Sequence, residues 1–138
     1  MAILRFIPKL FFLISLIYPN SQQNIRALWI VRDHMSNPQL IDDVVEFAGK
    51  NNFNHIFAQV RGRGDAFYNS NFVPKSNLVD QNFDPLNYLL SICKNNDIKV
   101  HAWLNIYYLW SSPQKPLQLD HLFFLKPDWL DRKENDVR

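Results

Sequence analysis

Three groups of polar and aromatic side chains stand out in this chain because each follows a short apolar run. Arg32, Asp33 and His34 follow the first run; Gln59, Arg61, Arg63 and Asp65 lie at and beyond the end of the second. The third group, at and beyond the end of the last run, is His101, Trp103, Asn105, Tyr107 and Tyr108. Carbohydrate binding calls for this mixture, since flat apolar faces cover sugar rings and planar hydrogen-bonding groups hold hydroxyls. Trp103 and the tyrosines supply the faces, and Gln59, Asn105 and Arg61 supply the polar groups. Hydrolysis of a glycosidic bond needs more, namely two carboxyl groups about 5 to 9.5 Å apart. Only Asp33 and Asp65 are acidic among these residues, and no catalytic acid is assigned.

Asp65 lies beside Arg63 and near Arg61 in sequence, and the plain expectation is an ion pair that orders the surrounding loop. A neighbouring arginine favours the ionised carboxylate, the opposite of what a general acid needs. The tripeptide Arg63-Gly64-Asp65 is too short to mean more. His34, His55, His101 and His121 do not share ligand spacing on one helix, so no metal is expected. Arg61-Gly62-Arg63-Gly64 lacks the full phosphate-cradling pattern, and the sequence calls for no cofactor. The lone Cys93 excludes an internal disulfide and fits a core position.

The elements that must hold these groups alternate. Arg26–Val31, His55–Val60 and Ile98–Leu104 read as strands, the second apolar enough to be covered on both faces. Between the first two, Ser36 or Asn37 can cap a helix opening at Pro38, with Leu40, Ile41, Val44, Val45 and Ala48 as one stripe that ends at Gly49-Lys50-Asn51-Asn52. Asp84-Pro85 opens a second helix, with Leu86, Leu89, Leu90 and Cys93 expected on its inner face and Asn95-Asn96-Asp97 as its end. The stretch from Arg61 to about Phe83 is a long loop, and loops of that length are usually functional or disordered. The order predicts an α/β fold with a parallel sheet whose strand ends share one rim.

Composition bounds the rest. With 47% hydrophobic and 14% aromatic residues in 138, the chain can bury a core. A formal charge of +2 gives no field suited to nucleic acid. Removing Arg5 and Lys9 makes the remainder formally neutral. These two residues precede the apolar run Leu10–Tyr18 and the breakers Pro19, Asn20 and Ser21, the order of a secretory signal. The run is too short to span a bilayer, which takes about 20 residues. No A-x-A-like triplet lies near Ser21, so residues 1–22 are expected to act as a signal peptide or as an uncleaved membrane tether, with the chain exported to the periplasm or cell envelope.

Several stretches resemble the glycosyl hydrolase-like 10 family: Arg26-Ala27-Leu28-Trp29-Ile30, the run from Asn52 to Tyr68 containing Gln59-Val60-Arg61 and Gly64-Asp65-Ala66, Phe83-Asp84-Pro85-Leu86, Val100-His101-Ala102-Trp103-Leu104-Asn105, and Lys126-Pro127-Asp128-Trp129-Leu130. The resemblance implies an envelope (β/α)-barrel acting on glycans, peptidoglycan strands foremost. It places Gln59, Arg61, Asp65, His101, Trp103, Asn105 and Tyr107 at a substrate-binding rim. A closed (β/α)₈ barrel takes roughly 200 to more than 400 residues, so residues 24–138 are expected to form only its N-terminal portion, about three strands and two helices. Such a piece is inactive alone if the later carboxylates are missing. The alternatives are a non-catalytic glycan-binding or interaction module, or a barrel completed by a second chain.

Overall fold

The computed structural model describes residues 24–131. The expected signal or tether over residues 1–22 lies outside them. Three strands, β1 (Ala27–Ile30), β2 (His55–Arg61) and β3 (Lys99–Leu104), form one parallel sheet in the order β1-β2-β3. Two helices, α1 (Pro38–Lys50) and α2 (Pro85–Lys94), make the crossovers. The open α/β sheet agrees with the expected class, and the described residues do not close it into a barrel. Residues 111–131 contribute a short helix, α3 (Leu122–Leu125), and a 3-10 turn at Pro127–Trp129, and no strand.

Local chemistry accounts for the element ends. Asn37, rather than Ser36, caps α1, its side-chain oxygen accepting from the Leu40 N–H at 3.1 Å; such caps contribute about 1 kcal/mol. Ser36 instead donates to the Asp33 carbonyl. Asn52, at φ 57°, takes the left-handed position after α1. Asp84 caps α2, and Asp97, at φ 53°, turns the chain toward β3. The first strand is shorter than its apolar run because Arg32–Met35 coils at once into a 3-10 turn that buries Met35.

One sheet face carries Leu28, Ile30, Ile56, Ala58, Val60 and Val100, which pack with Ile41, Val44, Val45 and Ala48 of α1 and Leu89 and Cys93 of α2 into a single core. Burial pushes the Cys93 thiol up to about 11, so it is inert filling. Leu90 departs from expectation: it is 47% exposed, because one residue past Leu89 lies about 100° around the helix, off the stripe. The expectation that β2 is covered on both faces is also corrected. Both long helices pack on the core face, and the opposite face carries a row of rings at one register level, Trp29, Phe57 and His101. Their centroids are 4.6 and 4.5 Å apart, yet Trp29 remains 61% exposed.

The long loop after β2 is built rather than loose. Phe67 N–H donates to Val60 O, Ala66 N–H to Pro74 O and Ser76 N–H to Ala66 O, within 2.8–2.9 Å. Lys75 Nζ donates to the carbonyls of Gln81 and Phe83, both at 2.8 Å. Ala66, Phe67 and Ser76 are fully buried. These contacts fold the loop back over the C-terminal end of β2.

Candidate functional site

At the C-terminal strand ends, the sheet departs from regular register. Gln59 pairs with Trp103, but Arg61 pairs with Leu104, so β2 carries a bulge at Val60. Bulges re-aim side chains and recur beside functional sites. Gln59 is buried, its side-chain oxygen accepting from the Arg32 N–H at 3.2 Å and so tying the end of β1 to β2. Trp103 Nε1–H donates to Asn105 Oδ1 at 3.1 Å, and Asn105 Nδ2 donates to Gly62 O at 3.3 Å. The Asn105 N–H also donates to Arg61 O at 3.0 Å. Asn105 therefore clips β3 to the loop, and its hydrogen-bonding capacity is largely spent inside the protein.

His101 lies deeper along β3. One of its nitrogens is 2.8 Å from His55 Nδ1, and it stacks on Phe57. Burial first, then the neighbouring His101 and Lys99, hold His55 below the ordinary imidazole range. The two histidines are thus within hydrogen-bonding distance of each other, below the strand ends.

The remaining residues of the expected site divide between two hollows. A groove of about 610 Å³ is lined by Arg61, Val73, Ile106, Tyr107, Leu109, Leu122 and Trp129. Its size is in the range of ligand sites, and it is apolar apart from the arginine. Arg61 Nε is buried without a hydrogen-bond partner, and Tyr107 is 99% exposed. An aromatic wall beside an unsatisfied guanidinium can cover a sugar ring and donate to its hydroxyls.

Asp65 faces the other hollow, of about 320 Å³. The expected ion pair is absent: neither Arg61 nor Arg63 brings its guanidinium to Asp65, and Oδ1 accepts instead from the Arg63 backbone N–H at 3.2 Å. The reason is the turn itself. Gly64, at φ 80°, turns the chain so that the Asp65 carboxylate meets the Arg63 backbone N–H and not its guanidinium, which sits 5.8 Å over the Trp110 ring.

The structure also brings in residues outside the expected binding set. His121 is fully buried 58 positions from Arg63, its Nε2 donating to Arg63 O at 2.7 Å and its Nδ1 accepting from the Phe123 N–H at 3.0 Å. No spacing marks it. Trp129 was signalled only by the resemblance of its segment. Among the described residues no group of three or more His, Cys, Asp or Glu could hold a metal ion.

Polar and aromatic residues thus gather at the C-terminal strand ends of a parallel sheet, with hollows of ligand size beside them. The chain belongs to the glycosyl hydrolase-like 10 family, whose model matches residues 24–138. It is 26% identical to glycosyl hydrolase YngK of Bacillus subtilis (strain 168) over 99% of this chain and 32% of that protein. It is 27% identical to glycosyl hydrolase DigH of Escherichia coli (strain K12) over 63% of this chain and 26% of that one. The chain thus spans about a third or less of the length of these curated relatives.

Proposed function

We propose that residues 24–138 are the opening portion of a (β/α)-barrel and supply part of the binding rim for a bacterial cell-envelope glycan of peptidoglycan type. The observation that carries this reading is the groove in which Arg61 meets the exposed faces of Tyr107 and Trp129 at the C-terminal strand ends, the face on which barrel enzymes bind substrate. Family membership supports it, as does sequential parallel strand order with helices on one face. The role assigned to this segment is binding. Asp65 is engaged by backbone and faced by cations, so it is given no proton-transfer role, and a glycan-binding module without hydrolysis is the second reading that this observation favours.

Cosedimentation of the full chain with purified peptidoglycan tests the proposal. Tyr107→Ala removes a side chain with no partner within the fold and is expected to weaken retention about tenfold, the scale of a lost ring-stacking contact. Retention equal to that of the parent chain, or none by either protein, would remove the basis for this reading.

Export is proposed on the order of Arg5, Lys9, the apolar run 10–18 and the breakers after it. Fusing residues 1–30 to alkaline phosphatase, which is active only outside the bacterial cytoplasm, is expected to give an active reporter. An inactive but intact fusion refutes export by this segment.

A further inference from the structure

The hollow beside Asp65 differs in charge from the Arg61 groove. Its wall carries Arg32, Arg63 and Lys115 against one carboxylate, with Trp110 and Gln114 between them. Asp65 is 6% exposed and offsets one of these three positive charges, its Oδ1 accepting from the Arg63 backbone N–H and not from a guanidinium. Arg32 approaches Asp33 only through Nε, at 3.8 Å, and Asp33 points mostly into solvent. The Arg63 guanidinium lies over the Trp110 ring. The concave wall therefore holds a surplus of positive charge, two of its three cations being planar forks suited to bidentate contact with a carboxylate. A cationic ligand is disfavoured by the same surplus, and an uncharged one would leave it uncompensated.

We propose that this hollow is a subsite for a carboxylate carried on a sugar ring, with Trp110 against the ring and Arg32, Arg63 and Lys115 around the acid group. The inference rests on the glycan-binding reading above and adds to it: the bound saccharide is an acidic one, and its acid group is seated between the turn after β1, the loop after β2 and the segment after β3, apart from the Arg61 groove.

The test compares three probes on the full chain by NMR titration: N-acetylmuramic acid, its methyl ester and N-acetylglucosamine. The acid is expected to bind about tenfold tighter than the ester, the scale of one charge-assisted bidentate contact, and the preference should shrink as salt is raised. Arg63→Gln keeps both backbone hydrogen bonds of residue 63 and is expected to abolish most of the preference. Lys115→Gln, at an exposed position, provides a second readout that does not depend on the folding of the first. Equal binding of acid and ester, or a preference untouched by both substitutions, overturns the subsite and leaves the glycan reading standing. Failure of all three sugars to bind overturns both.

Discussion

Gly64 is fixed from two directions. Its φ of 80° is costly for any residue with a side chain, and a Cβ there would stand 2.8 Å from both His121 Nε2 and Leu109 Cδ1. His121 cannot retreat without surrendering its contacts to Arg63 O and the Phe123 N–H. Gly64→Ala is therefore expected to destabilise the protein by roughly 1–3 kcal/mol, read as a lower thermal midpoint by circular dichroism. Gly49→Ala is the control: it lies in α1 with open space around it, where alanine is neutral or better. Equal midpoints for the two variants would mean that the turn is not constrained as described. The glycine-rich turn was legible in the sequence, but its cause was not, because the residue that fixes it is far along the chain. Asp65 shows the same limit. Adjacency to Arg63 in sequence suggested a side-chain pair, and the left-handed residue between them replaced it by a bond from the Arg63 backbone N–H to the Asp65 carboxylate.

Asp84 acts on two elements at once. Oδ1 accepts from the Asn87 N–H at 3.0 Å and caps α2, while Oδ2 accepts from the Asn69 N–H at 3.1 Å and holds the loop. Asp84→Ala is expected to cost about 1–2 kcal/mol in urea unfolding, the scale of a lost cap, and to speed hydrogen exchange at Asn69. Asp84→Asn keeps a single acceptor oxygen, which can serve the cap or the loop but not both, and should lie between. Unchanged protection at Asn69 would show that the loop is held by its other contacts alone. Both helices were readable from cap, proline and apolar spacing, because these signals act within one turn. The stretch from Arg61 to Phe83 was readable as a long loop, but its fold was not, because isolated backbone bridges and the buried Phe67 hold it, and neither leaves a period in the sequence. The bulge at Val60 left none either, and it is what sets Arg61 opposite Leu104.

Across the whole molecule, the alternation of strands and helices was sufficient to give the parallel sheet and its common rim, since crossover handedness leaves few other arrangements. The division of the rim into an Arg61 groove and an Asp65 hollow was not available from the alternation, as it depends on residues 109–129 folding back beneath the loop. Strand order here coincides with sequence order, each strand pairing with its immediate predecessor. Among the described strands, each pairing becomes available as soon as the next strand has been synthesised. A growing polypeptide of this design can settle one unit at a time in the order in which it leaves the ribosome, with each arriving strand covering the edge left by the one before.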